Sequence, residues 1–113
     1  MAGRYSIEFY NARVLAAVEG WPPGIAADFL RLAELLQAIG PDLRLPHSRA
    51  LGGGLFELRA RGREGIGGAF YGFLVGQRIV IVHAIVKKTQ QIPEPELELA
   101  RNRMKEVLSW PKR

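Results

Sequence analysis

An almost unbroken run of isoleucine and valine between residues 78 and 86 constrains the fold more than any other feature of the chain. β-Branched side chains favour the extended backbone of a strand. A strand that is apolar at nearly every position has no face that can be left in water, so both of its faces must be covered. We therefore predict that this segment is the central strand of a sheet.

The rest of the chain divides into strand-like and helix-like segments. Alternating polarity predicts strands, apolar residues at three- and four-residue steps predict amphipathic helices, and glycine and proline separate the segments. The pattern does not decide the secondary structure of residues 43–50, which could form an extended segment at the edge of the sheet. In chain order we expect a strand over residues 5–10, a turn or short helix over 11–19, a helix over 25–39, strands over 55–61, 65–75 and 78–86, and a helix over 97–108.

This order of elements predicts an α+β fold. We expect an antiparallel (mixed) sheet of about four strands with the helices packed on one face, which leaves the other face partly open and basic. The 113 residues suit one domain, and no internal repeat or linker interrupts them. We therefore expect a single domain over residues 1–113.

Positive charge is concentrated in the middle of the chain. The formal net charge is +5, and a basic balance favours polyanionic partners such as nucleic acid. Between residues 59 and 88 the only acidic side chain is Glu64. The same stretch holds six basic side chains: Arg59, Arg61, Arg63, Arg78, Lys87 and Lys88.

The composition also excludes several classes of site. The chain has no cysteine, so disulfides, thiol catalysis and cysteine-based zinc sites are excluded. No histidine spacing or acidic cluster in the middle of the chain suits a metal, so we expect neither a metal nor a cofactor. No apolar run reaches the ~18 residues that span a bilayer, and the first residues lack the core of a signal peptide. We expect a cytoplasmic protein.

Three segments resemble the HigB branch of the RelE-type toxins, which is related to phage-encoded proteins. Residues 55–59, Leu-Phe-Glu-Leu-Arg, resemble the family's (W/F)ELR strand. The apolar strand that ends in His83, followed by Lys-Lys-Thr-Gln at residues 87–90, resembles the segment that leads into the family's last helix. Pro-His-Ser-Arg at residues 46–49 is also similar. The similarity is in register over roughly residues 46–108.

This resemblance implies a RelE-like single domain that cleaves RNA, in several relatives mRNA at the ribosome. It also implies an antitoxin partner with a helix-turn-helix domain. One position departs from the family pattern, since Gly68 stands where relatives usually carry an arginine that is thought to hold the scissile phosphate. Its absence implies either weakened or lost cleavage, or replacement by a neighbouring arginine, for which Arg59 is the candidate.

Metal-free RNA cleavage needs an acid, a base and cations that stabilise charge on phosphorus. Arginine suits the last role because its planar fork pairs with two phosphate oxygens. Our catalytic candidates are His83 and Lys87 as acid and base, Arg59 as the phosphate clamp and Tyr71 as a proton donor or base-stacking group. Our RNA-binding candidates are Arg61, Arg63, Lys88, His47 and Arg49.

Each candidate also has a structural interpretation that the sequence leaves open. Arg59 and Arg61 alternate with Glu57 on one strand face, where charged side chains also pair with one another. His83 lies in an apolar strand, where a histidine is often satisfied by one hydrogen bond, and Tyr71 suits a core. Alternative functions are a catalytically degenerate RNA-binding homologue and a phage-derived structural protein.

Overall fold

A computed structural model describes residues 4–110 of the chain. A short 3₁₀ turn, Gly40–Asp42, follows the second helix. In chain order the helices and strands are β1 (Ser6–Phe9), α1 (Ala12–Glu19), α2 (Pro23–Ile39), β2 (Ser48–Gly52), β3 (Leu55–Gly62), β4 (Gly65–Leu74), β5 (Arg78–Lys87) and α3 (Glu94–Leu108).

The five strands form one mixed sheet in the order β1-β5-β4-β3-β2. β1 runs parallel to β5, and the other neighbouring pairs are antiparallel. The predicted α+β class and mixed sheet are confirmed, although the sheet has five strands rather than about four. The undecided segment over residues 43–50 supplies the start of β2, which is an edge strand.

The helices cover both faces of the sheet, so the expectation that they all pack on one face is wrong. The core beneath α1 and α2 contains Ile79 and Ile81 of β5. A second core beneath α3 contains Val80 and Val82 of the same strand. The Ile/Val run therefore has apolar cover on each side, as its composition predicts. α3 also occupies part of the face that we expected to be open and basic.

A β-bulge in β5 decides which side chains lie on the α3 side. Phe70 pairs with His83, whereas the next residue of β4, Tyr71, pairs with Ile81. Val82 is thus an extra residue in β5, and such an insertion re-aims the side chains that follow it. Ile81 points into the α1–α2 core, whereas His83 projects to the opposite side and contacts α3.

Local sequence signals begin and end the helices. The Asn11 side chain accepts a hydrogen bond from the backbone of Val14 at 2.9 Å and so caps α1. α2 starts at Pro23, where a missing N–H costs little. It ends at Gly40, whose φ of +51° suits glycine. Between residues 4 and 110, no helix is long and apolar enough to cross a membrane.

Candidate functional site

The side chain of Glu57 lies at the centre of a charged cluster on the α3 side of the sheet. It is 0% exposed. One carboxylate oxygen, Oε1, is 2.8 Å from Nη2 of Arg49, and the other, Oε2, is 2.8 Å from Nζ of Lys87. The Nε atom of Arg59 is 3.9 Å from Oε1, beyond hydrogen-bonding distance. We call Arg49, Arg59 and Lys87 the cation cluster.

Strand register brings the cluster together from three strands. Arg49 of β2 is paired directly with Glu57 of β3. Lys87 comes from β5, which is separated from β3 by β4, so the Lys87–Glu57 pair must cross over β4. Gly68 of β4 gives the necessary room, because a Cβ atom at this position would lie 2.6 Å from Oε2 of Glu57. With any larger residue at position 68, Glu57 would have to move, and the Lys87–Glu57 pair could not form in the same geometry.

The cluster holds more positive charge than its carboxylate can neutralise. Three cations surround one anion, so two positive charges remain uncompensated. The side chains of Arg59 and Lys87 are only 7% and 5% exposed. Burial lowers the pKa of Arg59, and the neighbouring charge of Arg61 lowers it further. Burial also lowers the pKa of Lys87, although its interaction with Glu57 acts in the opposite direction.

Hydrogen-bonding capacity within the cluster is also unused. The Nε atoms of Arg49 and Arg59 are buried and have no hydrogen-bond partner among the described residues. A buried N–H without a partner costs free energy, as does a buried positive charge without a counter-ion. An anion with several oxygens would satisfy both requirements, and a phosphate matches the planar fork of arginine.

His83 lies on the same face of β5 as Lys87. Its Nε2 atom is 2.6 Å from Oε1 of Glu96 on α3, and its ring stacks on Phe70 with centroids 6.0 Å apart. These two contacts fix the orientation of the imidazole. Since Glu96 engages Nε2, Nδ1 is the ring nitrogen that we consider for proton transfer.

The segment between β5 and α3 crosses the cation cluster. The backbone carbonyl of Gln90 accepts hydrogen bonds from Lys87 at 2.9 Å and from Arg49 at 3.2 Å. A cavity of about 610 Å³ opens beside this segment, and Arg49, Thr89 and Gln91 are among its lining residues. Arg49 is the cluster member with the greatest exposure, 31% of its side chain, so it connects the buried cations to this cavity.

A family model described as "Phage derived protein Gp49-like (DUF891)" matches residues 16–105, a stretch that contains the cation cluster and most of both cores. The chain belongs to this family. No protein with a curated description matches the Gp49-like chain at a significant level.

Among solved structures, the Gp49-like chain is similar to a chain of the archaeal RelE–RelB complex from Pyrococcus horikoshii OT3. The two are 20% identical, the match covers 74% of this chain and 94% of the other, and the TM-score is 0.53. Similarity at this level of identity shows the fold. The resemblance to RelE-type proteins that the sequence predicted is therefore confirmed, and the Gp49-like chain has a RelE-like fold.

The structure brings the predicted residues Arg49, Arg59 and Lys87 together around Glu57. His83 lies on the same face of β5, four residues before Lys87, and contacts Glu96 and Phe70 instead. Tyr71 lies elsewhere. Tyr71 is buried in the core beneath α1 and α2, on the opposite face of the sheet. Its hydroxyl shares a hydrogen bond with Ser48 at 2.5 Å, and burial raises its pKa. This position is that of a packing residue, so we leave Tyr71 out of the proposed site.

The remaining predicted residues lie around the cluster rather than in it. Arg61, Arg63 and Lys88 are exposed. The backbone carbonyl of His47 accepts a hydrogen bond from the backbone N–H of Arg59 at 2.9 Å, and the side chain of His47 is partly exposed. Arg78, which contributed to the basic stretch, pairs with Glu8 at the opposite end of β5.

Sequence reasoning placed Glu57 on the arginine face and left ion pairing there open, but it did not predict the central position of Glu57, and it did not assign Glu96 to the site. The alternation of Glu57 with Arg59 placed both on one face of a strand, but nothing in the pattern showed that Glu57 would be buried beneath three cations. Glu96 meets His83 only because α3 packs on that face. Within residues 4–110, no group of three histidine, aspartate or glutamate side chains could hold a metal ion.

Proposed function

We propose that this Gp49-like protein is the toxin of a type II toxin–antitoxin pair and that it is an endoribonuclease acting without a metal ion. The observation that carries the proposal is the cation cluster, with two uncompensated positive charges, on a RelE-like sheet whose same face carries His83. Phosphodiesters are the polyanions that such a cluster suits, because cations fixed in a buried site interact strongly with charge that develops on phosphorus.

The proposed reaction joins the ribose 2′-oxygen to phosphorus and breaks the bond from phosphorus to the 5′-oxygen. A base takes the proton of the 2′-hydroxyl, and an acid protonates the departing 5′-oxygen. The products are a 2′,3′-cyclic phosphate and a free 5′-hydroxyl. His83 exchanges a proton through Nδ1, with its ring held by Glu96. Lys87 and Arg59 stabilise the extra negative charge, and Lys87 is the second candidate for proton transfer.

The exposed cations give the RNA a path to the buried ones. Arg61 and Arg63 lie in and after the last part of β3, and Lys88 follows Lys87. We propose that these side chains contact backbone phosphates outside the cluster, and that Arg49 and the partly exposed His47 contact the phosphate next to the one that is cut. These contacts add affinity that is independent of sequence and sensitive to salt.

We further propose a protein antitoxin as partner. The similar structure is described as a RelE–RelB complex, which supports a partner for this chain too. The sequence resemblance favours an antitoxin with a helix-turn-helix domain and, together with an RNA substrate, a cytoplasmic location.

The direct test is RNA cleavage by the purified protein in the presence of EDTA, together with growth after induced expression. The proposal predicts RNA fragments that end in 2′,3′-cyclic phosphate, and growth arrest. A Lys87→Met variant is the matched control, because it removes one charge from the cluster and keeps an unbranched chain of similar length. Intact RNA and unchanged growth with the wild-type protein would contradict the proposal.

A catalytically degenerate RNA-binding protein is the second candidate, and Gly68 is the observation that favours it. If the chain binds RNA at low salt without cutting it, this candidate replaces the enzyme; if it does neither, a phage-derived structural protein is the remaining alternative. Restoring the family arginine is not a simple test, because the Cβ of Gly68→Arg would lie 2.6 Å from Oε2 of Glu57. We expect that variant to displace Glu57 rather than to gain cleavage.

A further inference from the structure

We infer that Glu57 is the positioning residue of this site, a fixed internal counter-ion that holds Arg49 and Lys87 in place and keeps Lys87 charged. It is not among the residues that we propose to contact RNA. The inference deepens the proposed function and rests on it for the role of the cations. The geometry of the cluster also supports it independently of any reaction.

The carboxylate of Glu57 pairs with a cation from each of two strands. Oε1 accepts a hydrogen bond from Arg49 of β2, whereas Oε2 lies 2.8 Å from Nζ of Lys87 of β5 in an ion pair without a well-oriented hydrogen bond. The side chain is fully buried, so water cannot replace either contact. An arginine and a lysine have many rotamers, and a common anchor between them fixes both at a small entropic cost. A phosphate would then meet cations that are already in position.

The glycine at position 68 fits this role. Gly68 pairs with Arg59 in the sheet, and the space above it is filled by Oε2 of Glu57. A side chain at this position would compete with the carboxylate for that space.

The charges around Lys87 predict what happens when Glu57 is neutralised. The charged groups that face Lys87 are Arg49 from β2 and Glu57 and Arg59 from β3. β4 contributes no charge at this point, because Gly68 lies there. Glu57 is the sole anion of this set. Of the acids on α3, Glu96 pairs with His83, and Glu94 lines the cavity that Arg49 also lines. Without Glu57, Lys87 keeps its hydrogen bond to the Gln90 carbonyl, but burial and the two neighbouring cations favour its neutral form.

The test reads the titration of Lys87 directly, by NMR of the lysine ¹³Cε atoms in the full chain, with the signal assigned by its loss in Lys87→Met. In the wild type, Lys87 is expected to titrate below the other lysines. In Glu57→Gln its midpoint is expected to fall by a further one pH unit or more. Glu8→Gln is the matched control, since it also neutralises a strand glutamate paired with an arginine and should leave Lys87 unchanged.

A second variant tests the same inference without removing the charge. Gly68→Ala places a Cβ against Oε2, so it should push the carboxylate away from Lys87 and lower the Lys87 midpoint by a smaller amount. If Lys87 titrates at its wild-type midpoint in either folded variant, Glu57 does not hold it and the inference fails. The NMR titration involves no RNA, so the two proposals can fail separately. A wild-type protein that does not cut RNA contradicts the proposed function, whereas the Lys87 midpoints alone decide the role of Glu57.

Discussion

The cation cluster predicts a large asymmetry between two single substitutions that each remove one partner of the same ion pair. Glu57→Gln removes the sole anion of the cluster and leaves three neighbouring cations. Lys87→Met removes one cation and leaves Glu57 with Arg49 at 2.8 Å and Arg59 at 3.9 Å. We therefore expect the loss of Glu57 to reduce the free energy of unfolding far more than the loss of Lys87.

The magnitudes follow from the distances and the burial. At an effective dielectric constant of about 20, charges 2.8 Å apart attract by about 6 kcal/mol, and desolvation cancels much of this. Removing the anion from a buried pair leaves cations uncompensated and costs about 3–5 kcal/mol. The lowered pKa of Lys87 shows that burial and the other cations outweigh its attraction to Glu57. Removing that charge is therefore expected to cost less than about 1 kcal/mol.

Urea denaturation of the wild type and both variants at pH 7 measures these free energies, with equal slopes required for the comparison. A second measurement at higher pH checks the sign. Because the pKa of Lys87 is lowered in the folded state, the unfolded chain binds more protons between the folded pKa and the ordinary lysine value. The stability of the wild type relative to Lys87→Met should therefore rise with pH through that window. Equal costs for the two substitutions would refute this account of the cluster.

Three further predictions concern residues outside the cluster. Tyr71→Phe removes the buried hydroxyl that is hydrogen-bonded to Ser48. It should lower the free energy of unfolding by about 1 kcal/mol, measured by denaturation, and leave RNA cleavage unchanged. A large loss of cleavage would return Tyr71 to the site. His83→Ala should lower the cleavage rate about 10²–10⁴-fold with RNA affinity preserved, and Glu96→Gln should lower the rate by a smaller factor. Single-turnover assays measure these rates, and an unchanged rate for His83→Ala would exclude His83 from the reaction. Arg61→Ala and Arg63→Ala should each weaken RNA binding and reduce the slope of log affinity against log salt by about 0.7, and a slope equal to that of the wild type would show that the arginine contacts no phosphate.

The sequence predicted the architecture well where composition and period acted together. The Ile/Val run between residues 78 and 86 predicts a central strand with both faces covered, and the two cores confirm this. The expectation of helices on one face failed because the period of a helix identifies its apolar stripe but not the sheet face that receives it. The Ile/Val composition of β5 already pointed to cover on both sides.

The site was harder to predict than the fold, because it depends on details that leave no periodic signal. A single extra residue, Val82, determines that His83 and Lys87 project toward α3 and away from the side of Ile81. The role of Glu57 depends on the absence of a side chain at Gly68. Gly68 lies on β4, whereas the two partners of the ion pair, Glu57 and Lys87, lie on β3 and β5. Neither feature is visible in the alternation of any one strand, since both arise from the register between strands.

The central claim is that this buried cluster acts on a phosphodiester. The measurement that tests it most directly is the fragment pattern of a defined RNA incubated in EDTA with the wild type and with Lys87→Met, a variant expected to stay folded. We predict fragments ending in 2′,3′-cyclic phosphate with the wild type and a strongly reduced yield with the variant. Equal yields from the two proteins, or no fragments from the wild type, would contradict the claim.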